Sequence, residues 1–340
     1  MLKPRRSIVG LDIGSSCIKA VELTREKYDL VVSGYAQIDV PNEASRQEAI
    51  AELMRAAKFR SKRVATAVSG KNVVFRYVSM PEMAEDKLVQ AVRLEADKYI
   101  PFDVADVEID AQRLGSGTDA AGKPDMKVLL IAAKKSFVAD HVRLLVELGL
   151  QPASIGVDGF ALGNAWELGD QVNPGIQESG RTVALVDVGS AKTSINILRE
   201  NTTCFAREVP LGGQDLTNAI ARRLGIEPGA AEAVKREPGE QAALVAEAIG
   251  QVLDDLGNEI NLSFDFYENQ FDGEVQDVRL TGGSALLPSL EEGLERILEK
   301  RTKTWNPIEG LKVRSDAVDV EALNRQAPQL AVAIGLAAAV

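Results

Sequence analysis

The 340-residue chain predicts an α/β fold of two related lobes, with a smaller α+β subdomain inserted into the first. The clearest sign is a repeat. Residues 8–23 (IVGLDIGSSCIKAVEL) and 183–198 (VALVDVGSAKTSINIL) each run through Val- and Ile-rich residues into Asp-x-Gly-Ser and out into a second apolar stretch. A strand, a tight glycine turn and a returning strand satisfy that pattern. Each copy is then followed by a third strand pattern and by apolar residues at helical spacing, and strands followed by helices, twice over, make two α/β lobes. The long segment between the copies has its own alternation of strand and helix periods.

Taken in order, residues 1–41 form the first-lobe strands, with the third over 30–40. Residues 42–150 form the insertion: a helix over 44–59, strands over 64–68 and 73–78, a helix over 85–99, and strands over 107–112 and 128–133. Its glycine-rich stretch 115–126 reads as an exposed hairpin tip. Residues 151–181 return to the first lobe with a helix over 157–166, and 182–212 are the second-lobe strands, the third over 203–209. Residues 213–274 are helical, opening with Leu216, Ile220 and Leu224 on one face. Residues 275–327 hold a strand, Gly282-Gly283-Ser284 and a helix with Leu286, Leu290 and Leu294 on one face, and 328–340 close the chain as an apolar helix.

Composition excludes several functions. Lys and Arg total 39 against 50 Asp and Glu, a net charge of −11, which repels nucleic-acid phosphates and anionic lipid. Cys17 and Cys204 are too few and too far apart for a disulfide framework or zinc cluster, as expected of a cytoplasmic protein. Lys3, Arg5 and Arg6 begin like a signal peptide, but Asp12 breaks the apolar run that follows. The apolar stretch 330–340 has about half of the ~20 residues that a membrane span requires. The single histidine, His141, lies among apolar residues at helical spacing and reads as structural, which removes Ser/His/Asp and Cys/His triads.

The repeated turns carry the chemistry. Glycine lets backbone N–H groups converge where a side chain would block approach, and such a nest holds phosphate. Gly14, Ser15 and Ser16 form one candidate, and Gly189, Ser190 and Ala191 the other, so that two lobes clamp the phosphates between them. Asp12 and Asp187, at the strand ends, face the same cleft. Carboxylates beside phosphates call for a cation, and Mg²⁺ held through one or two carboxylates and several waters is the common solution. ATP with Mg²⁺ is the implied ligand. Lys19 either neutralises a phosphate oxygen or faces solvent on an alternating strand. Residues 278–294 (VRLTGGSALLPSLEEGL) add a strand, Gly282, Gly283, Ser284 and a helix, a nucleotide-binding arrangement. Neither a P-loop nor a dinucleotide fingerprint is present. Any phosphoryl chemistry would need a poised carboxylate, for which Asp12, Asp158 and Asp187 are the candidates.

These three glycine segments, in this order, resemble the first-phosphate, second-phosphate and adenosine motifs of the actin-like (ribonuclease H-like) superfamily, which includes actin, sugar kinases and heat-shock chaperones. Residues 157–166 (VDGFALGNAW) and 328–340 (PQLAVAIGLAAAV) look like that superfamily's two hinge helices. Residues 211–221 (LGGQDLTNAIA) and 231–236 (AEAVKR) are similar to segments by which bacterial actin homologues hold the nucleoside. That likeness implies Gly212 and Gly213 at the nucleotide, Glu232 on the ribose hydroxyls and Lys235 beside the base; spacing alone makes Glu232 and Lys235 an exposed i, i+3 ion pair. Residues 93–110 (RLEADKYIPFDVADVEID) and the opening GLDIGSSCIKAVEL resemble the PilM family of type IV pilus assembly proteins, related to FtsA. The resemblance implies a cytoplasmic ATP-binding scaffold of the pilus platform, peripheral to the inner membrane through a partner. That partner is the N-terminal cytoplasmic peptide of PilN, in a groove bordered by the insertion near Tyr99, Ile100, Pro101 and Phe102. Other pilus platform proteins and self-association stay open as further interactions. An FtsA-like filament-forming scaffold and a small-molecule kinase on the same fold are the alternatives, with a slow ATPase as the most activity expected of the PilM reading.

Overall fold

The computed structural model describes residues 6–27, 29–118, 122–173, 180–271 and 273–340. The chain divides into two compact units, Met1–Ala67 with Ala153–Val340, and Val68–Pro152.

The first unit opens with β1 (Arg6–Ile13), β2 (Cys17–Glu26) and β3 (Asp29–Asp39), followed by α1 (Arg46–Ala56) and β4 (Arg63–Val68). The second unit holds β5 (Val73–Pro81), α2 (Glu85–Glu95), β6 (Val107–Thr118), β7 (Pro124–Lys134) and α3 (Lys135–Glu147). The chain returns with β8 (Gln151–Val157), α4 (Asp158–Val172), β9 (Thr182–Val188), β10 (Thr193–Arg199) and β11 (Thr202–Val209). It continues through α5 (Gly213–Leu224), α6 (Pro228–Arg236), α7 (Ala242–Phe271), β12 (Asp277–Thr281) and α8 (Pro288–Leu298). Last come β13 (Arg301–Thr304), β14 (Lys312–Val313), α9 (Val320–Gln326) and α10 (Ala331–Ala338).

Two sheets of like build make up the first unit, one ordered β14-β3-β2-β1-β4-β8 and the other β11-β10-β9-β12-β13. In each, the Asp-x-Gly-Ser turn joins an antiparallel hairpin, β1–β2 and β9–β10, with a third antiparallel strand beyond it. The repeat is therefore structural as well as sequential. A single core joins the sheets, with Val21, Leu23 and Val32 from one, Leu185 and Leu198 from the other, and α4 and α10 among them. Contact there is backbone to backbone. A Cβ on Gly335 would lie 1.7 Å from the Ala161 carbonyl oxygen, and one on Gly10 would lie 1.8 Å from that of Ala333, so only glycine fits at either crossing.

Three expectations need correction. The insertion begins at residue 68 and not at 42, because β4 pairs in parallel with β1, Val9 opposite Val64, and so extends the first sheet. The helix expected over 85–99 ends at Glu95 and tightens into a 3₁₀ turn over Ala96–Lys98, ahead of Pro101. Leu286 is exposed in a 3₁₀ turn before α8, whose buried face is Leu290, Leu294 and Leu298, because Pro288 starts the helix two residues later. Most of the glycine-rich stretch 115–126 is strand, in β6 and β7, and its tip at 119–121 lies outside the described residues. Lys135–Glu147 is the expected helix bearing His141, whose pKa burial holds below its ordinary value.

Candidate nucleotide site

The first turn places Asp12 at the end of β1 and Lys19 directly opposite on β2. Lys19 Nζ donates to Asp12 Oδ2 at 3.1 Å, and only 15% of its side chain is exposed, so the solvent-facing alternative for this lysine fails. Burial works to lower its pKa, but the Asp12 carboxylate, with Asp187 adding to it, holds the ammonium above its usual range. Ser15 and Ser16 are exposed at the turn and Gly14 is half-buried. Gly14 must lack a side chain: a Cβ would lie 2.5 Å from the Cys17 carbonyl oxygen. The Cys17 thiol is pushed up to about 11, chiefly by burial, so no thiolate serves the site at neutral pH.

The second turn is built differently. The Gly189 N–H donates to the Lys192 carbonyl at 3.0 Å, so this amide closes its own hairpin and does not reach out to phosphate as expected. The start of α5 covers the turn, with Gly213 N–H donating to Gly189 O and Gln214 N–H to Ser190 O, both at 2.8 Å. Gly212 makes that approach feasible, since a Cβ there would meet the Gly189 and Ser190 carbonyl oxygens at 2.7 Å. Asp215 Oδ2 in turn accepts from Gly212 N–H at 2.9 Å, capping the helix. Burial pushes the Asp187 carboxyl up to about 6; Lys19 opposes that rise, whereas Asp12 and Asp158 reinforce it.

The third segment meets the second directly. Gly282 has φ of 89°, and a Cβ there would lie 2.4 Å from Asp187 Oδ1. Gly283 is under no such constraint, as its Cβ would meet only Gln329 Oε1 at 3.7 Å. A Cβ on Gly213 would come within 2.6 Å of Ser284 Oγ and 3.5 Å of Lys235 Nζ, so Gly189, Gly213, Ser284 and Lys235 converge on one place.

Glu232 and Lys235 do pair, at 2.6 Å, but not as an exposed ion pair. Lys235 is buried, donating to Gly213 O at 3.0 Å and Thr217 Oγ1 at 2.7 Å, while Thr217 Oγ1 lies 2.5 Å from Glu232 Oε2. Burial lowers the Lys235 pKa; Glu232 is also held low, because its hydrogen bonds from Lys235 and Thr217 outweigh its burial. Thr217 was missed in the sequence, although it stands one helical turn after Gly213.

Asp158 is occupied. Its Oδ1 accepts from Gly159 N–H at 2.7 Å, and its Oδ2 pairs with Lys192 at 2.7 Å. Lys192 also pairs with Glu208 at 2.5 Å, a bridge that sequence spacing did not reveal. Asp158 thus anchors the start of α4 in an ion network and is not free to act as a catalytic base.

The PilM_2 family model, type IV pilus assembly protein PilM, matches residues 10–339. A solved PilM-PilN type IV pilus biogenesis complex aligns with 98% of this chain and 98% of its own chain, at 30% identity and a TM-score of 0.84. This chain belongs to the PilM family. Among curated proteins, cell division protein FtsA of Bacillus subtilis (strain 168) is 23% identical over 264 residues, which span 68% of this chain but only 58% of FtsA. The ethanolamine utilization protein EutJ from Carboxydothermus hydrogenoformans shares the fold at 16% identity and a TM-score of 0.57, covering 98% of this chain and 90% of EutJ. The architecture is that of the actin-like ATPases. No helix among the described residues is long and apolar enough to cross a membrane.

The segment that marked this PilM family member in the sequence lies in the second unit. Ile100 is buried in that unit's core with Leu88, Val92 and Val107, which removes it from the candidate peptide contacts. Tyr99 and Phe102 pack against the same core while half-buried, Lys134 Nζ lies 4.9 Å from the Phe102 ring centroid, and Pro101 is exposed. The four residues are thus divided between core and surface, Ile100 inward and Pro101 outward.

Proposed function

We propose that this PilM-family chain is a nucleotide-dependent scaffold of a type IV pilus assembly platform, which holds the N-terminal cytoplasmic peptide of PilN and is kept at the inner membrane by it. The observation behind this reading is the likeness to a PilM-PilN complex along 98% of both chains. Pro101, with the exposed parts of Tyr99 and Phe102, offers the insertion's contacts to that peptide. A short tail can combine main-chain hydrogen bonds with a few apolar side chains in pockets. Titrating a labelled PilN tail peptide against the intact chain tests the reading directly. Saturable binding that weakens in Pro101→Ala and Phe102→Asp is expected, and absence of binding by any pilus-protein tail would overturn it.

The nucleotide is ATP in this reading, with its phosphates between the turns at Ser15 and Ser190 and its nucleoside beside Glu232, Lys235 and Gly282. The residues fit a magnesium nucleotide. Among the described residues no cluster of three or more His, Cys, Asp or Glu could enclose a metal, whereas Mg²⁺ on a nucleotide needs only one or two carboxylates beside phosphate and water. Asp12 and Asp187 supply those two. Bound there, Mg²⁺ would neutralise phosphate charge against both carboxylates. Lys19 orients Asp12, and α5 holds the second turn rigid. With Asp158 tied to Lys192, the small-molecule kinase reading loses one of its three candidate carboxylates. Calorimetry with and without Mg²⁺ checks the assignment.

A further inference from the structure

A cavity of about 370 Å³ lies within the first unit, at the end of the second sheet away from Asp187. That volume falls in the small-molecule range of roughly 300–1,000 Å³. Its floor follows from strand register. Leu198, Val183, Asp277 and Arg301 are direct neighbours across β10, β9, β12 and β13, so all four share one face, and Arg279 stands two residues beyond Asp277 on that face. Trp166 of α4 and Trp305 after β13 complete the lining, their rings edge to face at 5.4 Å. Asp187 ends β9 whereas Val183 is near its start, which separates cavity and cleft by four residues, roughly 13 Å at about 3.3 Å per residue.

The polar groups are specific. Asp277 is only 2% exposed, and its Oδ2 pairs with Arg181 at 2.7 Å. Its Oδ1 has no hydrogen-bond partner among the described residues and is closed to the cavity, so Asp277 serves Arg181 and offers a ligand no oxygen. Arg279 and Arg301 also line the cavity and have no carboxylate partner among the described residues. Arg279 is half-buried, whereas Arg301 and Glu309 both stand at the exposed rim, where solvent screens them. With Arg181 neutralised by Asp277, two guanidinium charges face the cavity in a chain whose net charge is −11. A dianionic phosphate matches two guanidiniums in charge and in hydrogen-bond geometry better than a single carboxylate does.

We propose that this cavity binds a small phosphate monoester, with its phosphate on Arg279 and Arg301 and its apolar part against Trp166 and Trp305. The site is separate from the ATP cleft, and the inference does not depend on the PilN reading.

The chain has two tryptophans, and both line this cavity, so intrinsic fluorescence reports on it selectively. The intact protein is titrated with AMP, GMP and glucose 6-phosphate, with inorganic phosphate for comparison. At least one ester should change the emission saturably, with affinity falling about tenfold or more in Arg279→Gln and in Arg301→Gln, each of which removes a charge-assisted contact. The response should be unaltered in Lys235→Ala, which strips the nucleoside side of the cleft. No saturable change with any ester up to about 10 mM, an unaltered response in both arginine variants, a response lost in Lys235→Ala, or equal affinity for inorganic phosphate would each overturn the proposal.

Discussion

In the first hairpin, Asp12 is answered across the strand pair by Lys19 at 3.1 Å; in the second, the residue opposite Asp187 is Ser194, and the nearby Lys192 turns away to Asp158 and Glu208. One lysine therefore serves two carboxylates. Asp12 has it in direct contact, while Asp187 feels it at longer range and is left with a carboxyl pushed up to about 6. The first turn stays open at Ser15 and Ser16, whereas the second is covered by the start of α5. Sequence repetition built two copies of a hairpin, and their neighbours left the turn of one open and covered the turn of the other.

The comparison breaks most severely at Gly212. Valine there would collide with backbone on the covered turn, which cannot shift alone, so Gly212→Val should cost at least about 3 kcal/mol of stability. Denaturant unfolding measures it, and a loss near zero would mean that α5 does not seat on the turn. Gly282→Val comes next, with a side chain placed at φ of 89° against Asp187 Oδ1. ATP affinity should fall by about 30-fold or more, roughly 2 kcal/mol, as read by calorimetry on the folded variant.

The carboxylates sharpen the contrast further. Asp187→Asn and Asp12→Asn should each weaken ATP binding by about tenfold with Mg²⁺ and much less without it, because the lost charge acts on the cation. Asp187 should also bring a pH dependence. Its folded pKa of about 6 exceeds the ordinary 3.8, so the folded state holds the proton longer, and stability falls as pH rises from about 4 to about 6. Denaturation of Asp187→Asn at the two ends of that window should show the slope flattened. Deprotonation also favours the cation, so Mg²⁺-dependent ATP affinity should drop as pH is lowered through about 6. The smallest effect is expected at Gly283→Ala, within about 0.5 kcal/mol in stability and with ATP affinity unchanged, since a Cβ there would meet only Gln329 Oε1, at an ordinary contact of 3.7 Å.

Much of the fold was legible because its signals are local. The Asp-x-Gly-Ser hairpins, the strand before Gly282 and the apolar helix near the end of the chain each follow from spacing within a few residues. The boundary at 42 was misplaced because β4 belongs to the first sheet through pairing with β1, a partner far away in the chain. Leu286 was misassigned because helical spacing extends past Pro288 in the sequence but not in the structure. In the site, Thr217 and the Lys192 bridge gave no local sign, because a threonine on a helix and a lysine after a turn are ordinary surface residues until another element covers them.

The sequence by itself determined two hairpins of one design, glycines at the turns, and carboxylates at the strand ends, because backbone conformation and strand period depend on neighbouring residues. Tertiary structure alone decided which glycines are indispensable, which lysine meets which carboxylate and which aspartate titrates near pH 6. Those properties depend on distances of 2 to 4 Å between residues remote in sequence, and on how far each pair is removed from water. Gly282 and Gly283 are adjacent and chemically identical, yet only one has a carboxylate oxygen 2.4 Å from where its Cβ would be.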